Sequence, residues 1–103
     1  MSGDSVQNAL NFLAEAVPQG SQVILFGSHA RGDARPDSDL DVLVIEPEIS
    51  DRAAETVRLS ALLGRRFIPA DVVVMSRSAF ERVREVPNTL AYRAAREGKT
   101  HEP

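Results

Sequence analysis

The residues best suited to chemistry lie in one short run, Phe26 to Val44, FGSHARGDARPDSDLDVLV. Asp39 and Asp41 stand two apart where an apolar stretch begins, and in an extended strand that spacing puts both carboxylates on one face. Adjacent carboxylates repel, and burial makes each costlier. A cation between them removes that cost. Hard oxygen ligands of this kind suit Mg2+ or Mn2+, with substrate phosphates completing the shell. Upstream, Gly27-Ser28 directly follows the apolar run Val23 to Phe26. A glycine there lets backbone approach a phosphate closely, and a serine starting a helix offers a hydroxyl beside free N–H groups. Each piece alone has a plain structural explanation. Asp-x-Asp can be a solvated strand entrance, and Gly-Ser is a common turn. The combination is more specific. Ten residues separate Ser28 from Asp39, so neighbouring strands would present phosphate donors and metal ligands at one place.

The elements that must position these residues can be read from periodicity. Val6, Leu10, Leu13 and Val17 form one face of an amphipathic helix over about Ser5 to Val17, broken by Pro18 and Gly20. Gln22 to Phe26 reads as a central strand, apolar on both faces. Asp39 to Ile45 is a second strand, with Asp39, Asp41, Leu43 and Ile45 on one side and Leu40, Val42 and Val44 on the other. Ser50 or Asp51 caps a helix from Arg52 to Leu63, with Gly64 as its stop. Val72 to Met75 is a third strand. Ser78 to Glu81 fits a capping box that opens a short helix ending near Pro87. Asn88 caps a last helix that Gly98 ends, and residues 99–103 are expected to be a loose tail. The pattern is that of an α/β (α+β) domain, a small mixed sheet of about three to four strands flanked by helices.

Length and composition agree. A chain of 103 residues makes one domain, here 1–98. Hydrophobic residues at 43% and charged residues at 26% are ordinary for a soluble protein. The absence of cysteine excludes a disulfide framework, a thiolate metal site and a cysteine nucleophile. The start, MSGDSVQNAL, lacks the features of a signal peptide, and the apolar runs are too short to span a membrane. Cytoplasm is the expected compartment. Net charge is −3, split as −6 over residues 1–50 (eight acids, two bases) and +3 over residues 51–103 (seven acids, ten bases). The basic half suits an acidic partner or simply solvated helix faces. A net acidic chain with one tyrosine, four phenylalanines and no tryptophan is a poor stand-alone nucleic-acid binder.

The run Gly27 to Asp41 resembles the GS-x10-DxD signature of the DNA polymerase β-like nucleotidyltransferase superfamily. Gly-Ser-x-Ala-Arg-Gly followed by Asp-Ser-Asp-Leu-Asp is similar to its minimal nucleotidyltransferase (MNT) branch, and the likeness extends to about Gly98. The resemblance implies a nucleotidyltransferase fold in which Gly27 and Ser28 hold the β- and γ-phosphates of a nucleoside triphosphate. Asp39 and Asp41 would bind two divalent metals, Mg2+ or Mn2+. Asp71, at the start of the Val-Val-Val strand, would be the third carboxylate and ligate the metal that activates the attacking hydroxyl. Arg31 and Arg35 suit phosphate contact, or pairing with Asp33 or Asp37. Ser38 orients Asp39 or caps the turn. His29 is expected beside the nucleotide cleft, Tyr92 in the core or an interface, and His101 in the tail without a role.

Related polymerases and transferases carry extra domains for the second substrate, so a chain of this length is expected to need a partner. In the MNT branch that partner is often a HEPN-domain RNase toxin, and some members transfer AMP from ATP to a tyrosine hydroxyl of the toxin. The resemblance therefore implies a Mg2+-dependent adenylyltransferase acting as antitoxin. Two alternatives stand beside it: an antitoxin that neutralises the toxin by binding alone, and transfer of a nucleotide to a small molecule or an RNA end.

Overall fold

The structure, a computed structural model, describes residues 3–101. Its elements in chain order are α1 (Gly3–Ala16), β1 (Gln22–Phe26), α2 (Ser28–Arg31), β2 (Leu40–Glu46), α3 (Arg52–Gly64), β3 (Ala70–Ser76), α4 (Arg77–Val83), α5 (Leu90–Glu97) and β4 (Lys99–His101). The four strands form one mixed sheet in the order β3-β2-β1-β4. β2 runs antiparallel to β1 and parallel to β3, while β4 runs antiparallel to β1.

The alternation in the strands decides the layers. Val23, Leu25, Leu40, Val42, Val44, Val72 and Val74 face one side and pack with Leu10 and Leu13 of α1 and Leu59 and Leu63 of α3. Ile24, Phe26, Leu43 and Ile45 face the other side and pack with Phe80 of α4 and Ala91 and Ala94 of α5. The sheet is thus covered on both faces, which is why β1 and β2 read as nearly continuous apolar runs.

Four local features differ from the sequence expectations. Residues 99–101, expected in a loose tail, pair with Val23, Ile24 and Leu25 of β1; Glu102 and Pro103 lie outside the described residues. The cap of α4 is Ser76, whose Oγ accepts from Ala79 N–H at 3.2 Å, because β3 runs straight into the helix. The cap of α5 is Thr89, which accepts from Tyr92 N–H at 3.1 Å, and Asn88 before it is left-handed at φ 69°. Gly64 does not stop α3. The turn continues to Phe67, left-handed at φ 57°, where Phe67 N–H donates to Gly64 O and Ile68 N–H to Leu63 O, both at 3.0 Å. That pair of bonds is a Schellman closure with Phe67 in the position glycine usually fills.

Candidate active site

β1 ends, and β2 and β3 begin, at the same end of the sheet. Register places Phe26 opposite Asp41, and Asp41 opposite Asp71. Laterally paired residues project to the same face, so the Asp41 and Asp71 carboxylates lie side by side on the α4/α5 face. Asp39 stands two residues before Asp41 and is exposed. Gly27, immediately after β1, is buried at φ 75° and ψ −154°, a conformation open essentially to glycine alone. A Cβ there would run into Asp41 Oδ2. The close approach of this backbone to that carboxylate needs the glycine at position 27. Ser28 and His29 open α2, where the first amides of a helix have no intrahelical acceptor.

Charge is concentrated here. The Asp41 carboxyl is held above its ordinary range, first by burial, then by the charge of Asp71 and, more weakly, of Asp39; Arg93 and His29 oppose the shift. The charges of Asp71 and Asp39 thus both bear on Asp41 at one edge. Among the described residues, however, no three acidic or imidazole groups converge tightly enough to enclose a cation unaided. The edge fits an ion held by one or two carboxylates whose remaining ligands are phosphate and water, which is how Mg2+ is usually bound in nucleotide sites.

The other expected residues divide. Arg31 pairs with Asp33 and with Glu97, each at 3.3 Å. Ser38 Oγ accepts from Arg35 N–H at 2.9 Å and so closes its own turn. Arg35 is exposed and enters this turn through its backbone. His29, as its Nε2–H form, donates to Ser38 O at 3.0 Å and ties α2 to the loop before β2. Tyr92 is half-buried beneath the Arg96 guanidinium, 4.4 Å from the ring centroid.

Two residues of α5 join the site without having been expected. Glu97 accepts from Gly27 N–H at 3.2 Å, from Arg31 at 3.3 Å, and lies 3.9 Å from Arg93. Arg93 in turn lies 5.8 Å from the Phe26 ring centroid. Their spacing of four on one helix was visible in the sequence, but it does not say which strand end the helix covers. A separate cavity of about 480 Å³ lies between α1, α2 and β4, lined by Val6, Leu10, His29, Lys99 and His101 among others. None of the three carboxylates lines it.

Residues 6–99 match the model of the nucleotidyltransferase domain family. The chain belongs to that family. A 50-residue segment of this nucleotidyltransferase domain is 38% identical to a bifunctional uridylyltransferase/uridylyl-removing enzyme of Ralstonia nicotianae. That match spans 48% of this chain and only 6% of the relative. Among solved structures, a toxin–antitoxin with AMP-PNP is similar at TM-score 0.63 and 21% identity, covering 97% of this chain and 72% of that one. A mutant of the toxin–antitoxin MntA–HpeT is similar at TM-score 0.62 and 19% identity with the same coverage. A chain of Sulfolobus solfataricus, described as a nucleotidyltransferase, is similar at TM-score 0.55 and 26% identity, over 80% of this chain and 73% of that one. At such identities the toxin–antitoxin structures speak for the fold. Among the described residues, no helix is long and apolar enough to cross a membrane.

Proposed function

We propose that this domain transfers AMP from ATP to a tyrosine hydroxyl of a cognate HEPN-domain RNase toxin, and is thereby its antitoxin. The observation that carries the reading is the seat of Gly27 against Asp41, with Asp71 in register beside it. Phosphate-binding backbone, two carboxylates and the entrance for an acceptor then follow one another across β1, β2 and β3. The nucleotidyltransferase family and the likeness to toxin–antitoxin structures, one with AMP-PNP, support it.

In this reading Gly27 and Ser28 hold the β- and γ-phosphates, and Arg31 stands at their edge. Asp39, Asp41 and Asp71 would hold divalent Mg2+, which when bound neutralises phosphate charge and supports in-line displacement. The acceptor hydroxyl approaches from the Asp71 side. Its oxygen forms a bond to the α-phosphorus, the bond from that phosphorus to the bridging oxygen breaks, and pyrophosphate leaves. The hydroxyl proton passes to the Asp71 carboxylate or to solvent. Glu97 fixes the Gly27 amide and the Arg31 guanidinium, and so positions the phosphate grip. The proposed compartment is the cytoplasm, where ATP and the toxin's RNA targets coexist.

The test uses ATP labelled at either the α- or the γ-phosphorus, with the HEPN protein and Mg2+. Label from the α-position should stay with the toxin and γ-label should leave as pyrophosphate. Retention of γ-label would indicate a kinase-type transfer and overturn the reading. UTP belongs in the same assay, because the 50-residue likeness to a uridylyltransferase favours uridylyl transfer as the second possibility.

A further inference from the structure

We infer that Phe67 anchors a protein-docking surface at the rim of the catalytic edge, and that it fits an apolar, acid-rimmed pocket on the acceptor protein. The inference rests on the proposed transfer to a protein hydroxyl, and it names the surface that would bring that protein to the site.

Phe67 is 94% exposed. It also occupies the left-handed slot of the turn that ends α3. A glycine would make the same backbone bonds without the steric penalty that a side chain meets there. Folding therefore gains nothing from this ring, and a strained residue kept on the surface points to use. The backbone that carries the ring is held in place. Arg66, Phe67 and Ile68 each donate a backbone hydrogen bond into the last turn of α3, all at 3.0 Å. Pro69 O accepts from Leu40 N–H at 3.1 Å, which fastens the loop to the first residue of β2. An aromatic side chain on a fixed loop loses little freedom on binding.

Phe67 stands at the same end of the sheet as the carboxylates, on the side of α1 and α3. The α3–β3 loop enters edge strand β3 from the α3 side and is fastened through Pro69 to Leu40, which stands between Asp39 and Asp41, while the Asp41 and Asp71 carboxylates project to the other face. Phe67 is four residues before Asp71, within roughly 14 Å along an extended chain. A shallow hollow beside the ring is lined by Pro36, Ile68 and Pro69. Arg65 and Arg66 are both exposed next to it, and Arg66 is steadied 4.1 Å over the Phe12 ring. Aromatic and arginine side chains are the types that dominate binding at protein interfaces, and the paired cations call for acidic residues around the receiving pocket.

The test compares the wild-type chain with Phe67→Gly by calorimetric titration against the purified HEPN-domain protein. Phe67→Gly should melt no lower than wild type and bind ATP within twofold of it, yet raise the dissociation constant of the protein complex at least tenfold. An unchanged complex would overturn the docking surface while leaving the transfer reading intact. A complex weakened by Phe67→Gly, with no label transferred even by wild type, would keep the surface and overturn the transfer. Absence of any wild-type complex would overturn both. Loss of single-stranded RNA binding or of self-association in Phe67→Gly, with the HEPN complex intact, would reassign the surface and overturn a foreign protein as its occupant.

Discussion

Replacing Gly27 with alanine perturbs the fold and the chemistry at a single atom. The residue sits at φ 75° and ψ −154°, so any side chain carries a conformational penalty of roughly 1–3 kcal/mol. The added methyl would also overlap Asp41 Oδ2 and lie 3.1 Å from its Cγ, in a buried setting where overpacking costs about 1–3 kcal/mol. Together these amount to roughly 2–6 kcal/mol. In a domain of this size about 1 kcal/mol moves the melting temperature by roughly 4–8 °C, so Gly27→Ala should melt at least about 8 °C lower. Relief of the overlap displaces Asp41, and a shift of about 1 Å in a reacting group is enough to lower transfer around 100-fold. Gly32→Ala is the internal control. Gly32 is also left-handed, at φ 84°, but a Cβ there meets nothing within 4 Å. It should lose only roughly 1–2 kcal/mol and keep its transfer activity. Thermal melts and transfer rates of both variants decide the matter. If Gly27→Ala matched Gly32→Ala in both, the close seat of backbone on carboxylate would have no consequence and the reasoning would fail.

Two more outcomes follow from charge. Asp41 is held above its ordinary range, so its contribution to stability is full below the unfolded value and declines as pH rises through the folded one. Asp41→Asn should therefore melt higher than wild type at pH 7.5 without metal, and lose the rise in melting temperature that Mg2+ gives wild type; equal responses to Mg2+ would remove Asp41 from the metal site. At the opposite end of β2, Glu46 is buried, its Oε2 has no partner among the described residues, and its carboxyl is pushed up to about 7 by burial and then by its hydrogen bond with Glu55. Arg58, bonded to Glu55 at 2.7 and 2.8 Å, holds Glu55 down. Glu46 thus contributes fully below pH 4.5, its unfolded value, and its contribution is lost as pH rises through 7. Glu46→Gln should match wild type near pH 5 and exceed it by about 1–3 kcal/mol at pH 8 in urea unfolding, whereas parallel pH profiles would refute the buried proton.

Much of this edge was legible because strand alternation is a short-range rule. Asp41, Leu43 and Ile45 share a face in the structure as their odd spacing required, and β1 has the bounds its apolar run suggested. What escaped depends on contacts distant in sequence or on conformation without a residue signature. Lys99-Thr100-His101 is polar and short, and becomes a strand only because β1 has a free edge beside it. Gly64 looked like the end of α3 since glycine favours that position, yet Phe67 holds the left-handed slot. Glu97 reaches Gly27 across 70 positions, so no local pattern could connect them.

The most direct measurement is the intact mass of the HEPN-domain protein after incubation with this chain, ATP and Mg2+, with Asp39→Ala/Asp41→Ala run in parallel. The toxin should gain one or more AMP units with wild type and none with the double variant, on a tyrosine identified by fragmentation. An unmodified toxin, or an equal gain with the double variant, would contradict the proposed transfer.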